Sequence, residues 1–477
     1  MRTLVWFRGK DLRIADHAPL HDAIAGGEVV PVFVLDPYFF SPKRAARLPN
    51  RMQYLLASLA ALAANIAHKG SRLLLVSGKS VETIPRLAKQ LRADRVVAHR
   101  WVEPFARERD ARVKAALGDR FTLYEGETLI TPGTLRTGGG TPYSVYTPFA
   151  RAARAKLGPL SAIPAPRKLP ALPSDLDVVE AKLPDLASLG LAPNPRLIEP
   201  GEKAARARLK RFLEHGLADY EAERDRMDHD GTSRLSADLK FGTLSVREVV
   251  VGLGAAVEAD RSKESGAEKF MNELLWREFT HHTLWDRPGL LDHPFRPDFE
   301  GFPYRHDAAG LAAWKAGKTG YPIVDAAQRQ LLAEGYVHNR ARMVTASFLT
   351  KHLLVSYKEG EAHFLEHLVD GDWAQNNAGW QWSAGCGCDA QPYFRVMNPV
   401  AQGEKFDPDG AYVRRWVPEL AKLDAKHIHA PWLAPPMELA EAGITLGKTY
   451  PTPIVEHKHA RQRFLDVAKS HLGRARP

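Results

Sequence analysis

A proline-rich segment divides this chain into two parts with different folding patterns. Residues 159–200 contain nine prolines, and proline disrupts both helices and sheet ladders. Before the segment, β-rich runs at residues 3–7, 29–35, 72–77 and 95–99 alternate with helical periodicity, which predicts a parallel sheet covered by helices. After it, apolar residues recur mainly with helical spacing. We therefore expect an α/β domain over residues 1–135, a linker over 136–200 and a helical domain over 201–477.

The overall composition limits the class of protein. The 477-residue chain has a formal net charge of +10 at pH 7, which favours a polyanionic partner such as nucleic acid, although an Arg-rich soluble protein fits too. It contains no apolar run long enough for a membrane span and no signal-peptide pattern, so we expect a cytoplasmic protein. Its two cysteines, Cys386 and Cys388, are too few for a four-cysteine metal site, and we predict no metal.

The most chemically distinctive segment is DGDWAQNNAGWQW, at residues 370–382. It combines two carboxylates, two adjacent carboxamides and three tryptophans. Carboxylates accept hydrogen bonds and carboxamides both donate and accept them, so the segment suits a planar, redox-active ligand. The alternative is a turn followed by packed core tryptophans.

Two further segments have the residue types of a binding site. GTSRLSADLKFG places hydroxyls around a predicted helix start, which indicates either a phosphate site or simple N-capping. NELLWREF places Glu273, Trp276 and Arg277 on one helix face. There the tryptophan could stack on a base or fill the core beside a surface ion pair.

These segments, taken in order, resemble the photolyase/cryptochrome family over nearly the whole chain. The similarity also covers VWFRGKDLRIADHAPL, GYPIVDAAQRQL, HNRARMVTASFLTKHLL and YFRVMNPVAQGEKFDPDGAYVRRWVPEL. It implies a Rossmann-like α/β antenna domain and an all-helical FAD-binding domain joined by a long proline-rich linker. Within the family, the chain is most similar to class I-type cyclobutane pyrimidine dimer photolyases.

The resemblance assigns the FAD-binding residues. Those expected around the pyrophosphate are Tyr220, Thr232, Ser233, Arg234, Leu235 and Ser236. Those expected around the flavin are Arg277, Asn339, Arg342, Asp370, Asp372 and Asn376. Asn376 matches the residue that faces flavin N5, and we expect Arg342 to pair with Asp370 and hold that loop in place.

The resemblance also assigns residues to the damaged DNA. The predicted catalytic, lesion-facing residues are Glu273, Trp276, Asn339, Met343, Asn376 and Trp382. The predicted DNA-binding residues are Trp276, Arg340, Trp382, Arg395 and Lys405. Asn339 and Met343 stand where animal-type cryptochromes and (6-4) photolyases carry a histidine pair, which favours the cyclobutane-dimer branch.

The electron-supply chain of the family departs from its usual pattern here. Trp380 matches the inner of three relay tryptophans, whereas Tyr357 and Tyr304 occupy the middle and outer positions. Tyrosine oxidation is coupled to loss of a phenolic proton with an ordinary pKa of about 10. Trp314 is a nearby substitute, and Trp373 offers a second route.

A second chromophore is the least defined part of the resemblance. Asp36, Glu103, Arg109 and Lys240 match deazaflavin-binding relatives, so deazaflavin is favoured over folate. Trp101 replaces a usually polar residue, and RGKDLR is one residue longer than the usual motif. We therefore expect a deazaflavin, with folate as the less favoured alternative, or no antenna at all.

The function implied by the resemblance is light-driven repair of cyclobutane pyrimidine dimers by electron transfer from photoexcited reduced FAD, in a monomer. One alternative is a cryptochrome-type blue-light photoreceptor without repair activity. Another is a two-domain nucleotide-binding electron-transfer protein, which leaves Glu273, Trp276 and Met343 unexplained together.

Overall fold

A five-stranded parallel sheet forms the N-terminal part of the chain in a computed structural model that describes residues 1–474. The strands are β1 (Arg2–Phe7), β2 (Glu28–Leu35), β3 (Leu74–Ser77), β4 (Arg95–His99) and β5 (Phe121–Tyr124), in the order β3-β2-β1-β4-β5. All four strand pairs are parallel. The inner strands are apolar and buried almost throughout, as expected for a sheet that is covered on both faces.

The strand order reverses between β1 and β4, and a reversal of this kind forms a crevice in which ligands can bind. The chain runs outward from β1 in one direction through β2 and β3, and in the other through β4 and β5. In open α/β sheets, ligands bind at the carboxyl ends of the strands where the order reverses. Here that edge is formed by the residues that follow Phe7 and His99.

Helices make up most of the remaining regular structure. Those up to residue 288 are α1 (Ala18–Gly26), α2 (Pro37–Phe40), α3 (Pro42–Ala45), α4 (Pro49–His68), α5 (Ser80–Gln90), α6 (Pro104–Leu117), α7 (Tyr146–Lys156), α8 (Glu202–Arg211), α9 (Tyr220–Glu223), α10 (Ser236–Phe241), α11 (Val246–Ala259) and α12 (Glu264–Asp286). Those beyond it are α13 (Ala308–Lys315), α14 (Pro322–Glu334), α15 (Asn339–Ser347), α16 (Tyr357–His367), α17 (Trp373–Ala384), α18 (Pro399–Phe406), α19 (Ala411–Trp416), α20 (Pro436–Glu441) and α21 (His457–Arg474). The sheet and the helical remainder confirm the predicted fold class.

The proline-rich segment is ordered by its contacts with the sheet layer. Between residues 157 and 201, all of them described, the regular structure is one 3₁₀ turn, Ala187–Leu189. Leu169 N–H donates to the carbonyl of Lys69, and Ala181 N–H donates to that of Leu75. Apolar side chains from the segment pack on the sheet core as well. The segment is therefore a tethered strap along the α/β layer.

The chain divides into two compact units, each with most of its contacts inside itself. The first comprises residues 1–221 and 233–288, and the second comprises 222–232 and the chain from 289 onward. The first unit thus holds the sheet and most of α8–α12, and the second holds α13–α21. The boundaries at residues 135 and 200 came from sequence pattern and stay a prediction. In the described part of the chain, no helix has the length and hydrophobicity to span a lipid bilayer.

Candidate cofactor and DNA sites

Segment 370–382 forms the start of α17 and the loop before it. Asp372 caps the helix, since its Oδ1 accepts from Gln375 N–H at 3.1 Å. Asp370 is buried and accepts from Arg342 Nη2 at 2.8 Å, which is the pair expected from the sequence. Arg342 also donates through Nε to the carbonyl of Val337 at 2.8 Å. Burial opposes the charge of Arg342, but Asp370 outweighs it and raises the pKa of the guanidinium above its ordinary value.

One oxygen of this buried carboxylate is left for a ligand. Asp370 Oδ1 has no hydrogen-bond partner among residues 1–474, although it is shielded from solvent. An unpaired buried acceptor costs free energy comparable to a lost hydrogen bond. The arrangement therefore fits a ligand that brings a hydroxyl or N–H group to this oxygen.

The two adjacent asparagines of α17 differ in burial and in their hydrogen bonds. Asn377 is buried and donates to the Leu290 carbonyl and to Glu361 Oε1, both at 2.9 Å, so it fastens the helix to its surroundings. Asn376 is half-buried, and its Nδ2 donates to the Glu361 carbonyl at 3.1 Å. Because the amide nitrogen is held there, Asn376 presents its oxygen on the other side, as an acceptor.

Among the predicted relay residues of the second unit, Trp380 has its ring contact with Trp314. The rings of Trp380 and Trp314 meet edge to face, with centroids 5.9 Å apart, and Trp314 Nε1 donates to the Thr345 carbonyl at 3.1 Å. The hydroxyl of Tyr357 is buried without a hydrogen-bond partner in the described part of the chain, and burial raises its pKa far above the ordinary value. Burial also raises the pKa of Tyr304 well above its ordinary range. Trp373 is half-buried at the first position of α17.

Three predicted DNA-binding residues line one cavity of the second unit. The cavity has a volume of about 610 Å³, and Arg340, Arg395 and Lys405 lie in its wall. Arg340 Nη2 pairs with Asp225 at 2.7 Å, and its guanidinium lies over the Phe406 ring at 4.4 Å from the centroid. The cavity is thus cationic but contains one carboxylate that holds Arg340 in place.

The lesion-facing residues occur on α12 in the first unit and on α15 and α17 in the second. On α12, Glu273 and Trp276 are half-buried, and Trp276 stacks on Tyr146 with ring centroids 3.8 Å apart. On α15, Asn339 Nδ2 lies 3.9 Å from Met343 Sδ, so these two side chains share one face. Trp382 is half-buried on α17.

The hydroxyl-rich segment precedes α10 without capping it in the ordinary way. Leu235 is the N-cap residue, and no side chain caps the helix. Ser233 Oγ accepts weakly from Leu235 N–H at 3.4 Å, while Arg234 adopts a left-handed φ of 56°. The first N–H groups of α10 therefore remain available to an acceptor. Tyr220, at the start of α9, is buried against Phe212 and Phe270.

The four predicted antenna residues of the first unit are engaged with other protein groups. Asp36 Oδ1 accepts from Tyr38 N–H at 3.0 Å, and its Oδ2 accepts from Ser80 N–H and Oγ at 2.8 Å. Glu103 is buried in an ion pair with Lys10. Arg109 pairs with Asp110, and the Lys240 ammonium lies 5.6 Å from the Phe241 ring centroid.

Trp101 occupies the crevice at the carboxyl ends of β1 and β4. The guanidinium groups of Arg8 and Arg109 lie 5.2 and 4.7 Å from its ring centroid, and the Lys10 ammonium lies 5.7 Å away. Burial and the neighbouring Arg8 lower the pKa of Arg109 to about 10. The indole and these cations fill part of the crevice, and the role of the four antenna residues stays a prediction.

A buried group of Asp11, His17 and His99 near the same edge resembles a metal-ligand set. His17 Nδ1 accepts from Leu20 N–H at 3.1 Å, so in the neutral ring the proton is on Nε2. That Nε2 lies 3.5 Å from Asp11 Oδ2, and His99 Nδ1 lies 3.2 Å from the same oxygen. Burial lowers the pKa of His99 to about 3. We assign the group a structural role, with neutral imidazoles around one carboxylate.

Comparison with known proteins places the chain in a family. The sequence model for DNA photolyase matches residues 3–171, and that for the FAD binding domain of DNA photolyase matches residues 270–470. A deoxyribodipyrimidine photo-lyase of Agrobacterium fabrum is 40% identical over 97% of this chain and 96% of its own length. The chain belongs to the DNA photolyase family. Its resemblance to that family is thereby confirmed, and FAD is its cofactor.

Solved structures agree with this assignment. A bacterial class III photolyase from Agrobacterium tumefaciens is 39% identical, with a TM-score of 0.91 over 98% of this chain and 97% of its own. A Synechocystis cryptochrome is 30% identical, with a TM-score of 0.89 over 98% of this chain and 99% of its own. Since the Agrobacterium tumefaciens photolyase is named class III, the class I-type branch stays a prediction for this chain.

The donor and acceptor set of this photolyase-family chain fits FAD. In the second unit, Asp370 Oδ1 is a buried acceptor that needs a donor. In the first unit, Arg277 donates through Nη1 to the Glu127 carbonyl at 2.7 Å, while none of the described residues accepts from its buried Nε. FAD has hydroxyls, phosphates and ring nitrogens, which are the kinds of group that each of these two atoms can bind.

Sequence reasoning missed two contacts at these sites. Asp225 pairs with Arg340 across 115 positions of sequence, and no local motif marks it. Tyr146 stacks on Trp276 from a segment predicted as linker. The signal available for Tyr146 was the short run YSVYTPF, in which Tyr143, Tyr146 and Phe149 recur at a helical spacing of three residues.

Proposed function

We propose that this protein is a deoxyribodipyrimidine photo-lyase that repairs cyclobutane pyrimidine dimers in DNA by light-driven electron transfer. When it is bound, reduced and excited by light, FAD supplies the electron that opens the dimer. The protein supplies binding, orientation and exclusion of water. The observation that carries the proposal is the Arg342–Asp370 pair with its unpartnered buried oxygen, within a chain of this family.

The flavin-holding residues of the second unit are Arg342, Asp370, Asp372 and Asn376. Arg342 fixes the Asp370 carboxylate, so its free oxygen is held in one orientation for a donor. Asn376 offers an amide oxygen without a titrating proton. The remaining cofactor-binding residues that we propose are Asn339 and, for the pyrophosphate, Tyr220, Thr232, Ser233, Arg234, Leu235 and Ser236, with Arg277 on the flavin.

The dimer is recognised outside the base stack. Extrusion costs least for a base pair that is already damaged, and Trp276 and Trp382 supply aromatic faces on which the two bases can stack. Glu273 of the first unit accepts or donates at the pyrimidine edges, and Asn339 and Met343 of the second unit contact the dimer. Their contact on one face of α15 supports this role.

The DNA backbone is held by Arg340, Arg395 and Lys405. Phosphate contacts fix position and orientation without reading sequence, which suits an enzyme that must act on dimers in any context. Their common cavity and the net charge of +10 support this assignment. We further propose that the protein acts as a monomer in the cytoplasm.

The rival function is a blue-light receptor that binds flavin without repair. The relationship to a Synechocystis cryptochrome favours considering it. Asn376 argues for repair, because plant-type cryptochromes carry an aspartate at the matching position. The greater identity with photo-lyases points the same way.

Repair of a defined lesion tests the proposal. Reduced protein is mixed with a duplex oligonucleotide that contains one thymine dimer, and dimer loss is followed by chromatography under blue light and in the dark. We expect light-dependent loss in the wild type and strongly reduced loss for Glu273→Gln. A protein that retains flavin yet leaves the dimer intact in the light would establish the receptor function instead.

A further inference from the structure

The Trp276 indole is covered on one face by Tyr146. The two ring centroids are 3.8 Å apart and the ring planes are within 6° of parallel. Phe279 meets the edge of the same indole, with centroids 5.8 Å apart and planes at 73°. An indole has two faces, so a pyrimidine base can stack only on the face that Tyr146 leaves open.

Tyr146 is itself fixed at the other end of its side chain. Its hydroxyl donates to the main-chain carbonyl of Asn272 at 2.8 Å, one helical turn before Trp276. Arg154, two turns along α7, donates through Nη2 to Asn272 Oδ1 at 3.0 Å. Helix α7 is therefore fastened to α12 beside the stack, and the tyrosine ring is held by its face and by its tip.

We propose that Tyr146 is a positioning residue for dimer recognition, because it fixes the plane of the Trp276 indole before DNA binds. A half-buried tryptophan without this support would exchange between side-chain rotamers. Binding would then carry the entropic cost of ordering the ring. The inference rests on the proposed function, since it assigns Trp276 to a base of the dimer.

Substitutions at residue 146 separate the stack from its anchor. Tyr146→Leu removes the ring, and Tyr146→Phe keeps the ring without the hydroxyl. Tyr143→Leu is the matched control, because Tyr143 lies in the same segment but meets Phe149 at 6.0 Å instead of Trp276. The measurements are the dissociation constants for a duplex with one thymine dimer and for the undamaged duplex, and the repair yield per absorbed photon at saturating DNA.

The expected result is a selective loss of dimer affinity. Tyr146→Leu should weaken dimer binding about three- to tenfold, the range associated with one aromatic pair, and should leave undamaged-DNA binding and the saturated repair yield unchanged. Tyr146→Phe should retain most of the affinity, and Tyr143→Leu should match the wild type. Wild-type affinity in Tyr146→Leu would overturn the proposal. Tyr146→His, with a smaller flat ring, should give an intermediate loss if leucine prevents folding.

A double-mutant cycle tests whether Tyr146 acts through Trp276. In the Trp276→Leu background, Tyr146→Leu should weaken dimer binding no further, since the group that it positions is absent. An equal further loss would show an independent role and overturn the inference. If the wild type repairs no dimers, the proposed function fails. The stack is then tested alone by acrylamide quenching of tryptophan fluorescence, with the signal of Trp276 among the ten tryptophans obtained by subtracting that of the matching Trp276→Leu protein; its quenching should increase in Tyr146→Leu.

Discussion

At the scale of single residues, the electron relay depends on what lies next to Trp380. A tryptophan can lose an electron before its N–H proton leaves, whereas a tyrosine must pass on its phenolic proton. Among the residues that the structure describes, none accepts a hydrogen bond from the buried Tyr357 hydroxyl, so no side chain or carbonyl there is placed to receive that proton. Trp314 lies edge to face with Trp380, and its N–H is held by the Thr345 carbonyl. These facts favour Trp314 as the donor to Trp380.

We therefore expect Trp314→Phe to slow flavin photoreduction by about tenfold or more, which corresponds to about 1.4 kcal/mol in activation free energy. Tyr357→Phe should have a small effect, and Tyr357→Trp should accelerate photoreduction. The rate is followed by absorbance under blue light with an external reductant. Trp432→Phe is the matched control, since Trp432 meets Tyr321 edge to face, with ring centroids 5.1 Å apart. A wild-type rate in Trp314→Phe would exclude this route.

Residue-level prediction from sequence succeeded where a motif fixes both partners. The Arg342–Asp370 pair was expected because both residues belong to recognisable segments, and it is present at 2.8 Å. Trp314 was named only as a nearby substitute, since spacing along the chain does not report ring contacts. Asp225 and Tyr146 were missed for the same reason, because each reaches its partner across more than 100 positions of sequence.

At the scale of elements, α15 continues into a π-helical segment, Phe348–His352, which places a lysine side chain inside the protein. Lys351 is fully buried, and its Nζ donates to the carbonyl of Arg395 at 2.8 Å. This bond ties the segment to a loop of the cationic cavity. Burial lowers the pKa of Lys351 to about 7.

The lowered pKa of Lys351 predicts a pH dependence of stability. Between pH values of about 7 and 10, the unfolded chain holds a proton on this lysine that the folded chain has released, so raising the pH favours the folded state. In that window the free energy of unfolding rises by up to about 1.4 kcal/mol per pH unit. Below about pH 7 both states hold the proton, so this pH dependence disappears and the full cost of burying the charge remains. The apparent melting temperature of the wild type should therefore gain on that of Lys351→Met between about pH 7 and pH 9.

The control for this experiment is Lys469→Met, because Lys469 is an exposed lysine on α21. Its melting temperature should run parallel to that of the wild type across the same pH range. Parallel curves for the wild type and Lys351→Met would show that the Lys351 amine does not change its protonation state in this window.

Element prediction from sequence was best for regularly spaced segments. The long α12 was predicted from its helical spacing and strands β1 to β4 from their apolar runs, whereas the short β5 was not predicted. Helix α7 was not predicted, because its sequence lies between glycine- and proline-rich stretches that indicate a linker. The proline-rich strap was predicted as a connector, but its hydrogen bonds to Lys69 and Leu75 depend on tertiary placement that local pattern does not encode.

At the scale of the whole molecule, the charge balance links composition to DNA binding. A net charge of +10 attracts polyanions in general, but only cations that contact phosphates release bound counterions. Lys405 is exposed on the last turn of α18, in the wall of the cavity that also contains Arg340 and Arg395. The position of a lysine within the fold, more than the net charge of the protein, should decide whether it contributes to DNA binding.

Lys405→Met should therefore reduce the slope of log K against log salt concentration by about one, with similar effects on dimer-containing and undamaged duplexes. Binding is measured by fluorescence anisotropy between about 50 and 200 mM salt, where phosphate contacts dominate the change in affinity. Lys469→Met removes the same charge from α21 and should leave the slope unchanged. Equal reductions in both variants would mean that the whole surface charge, and not this cavity, holds the DNA backbone. An unchanged slope for Lys405→Met alone would remove Lys405 from the phosphate contacts, while the repair activity would still test the lesion-facing residues separately.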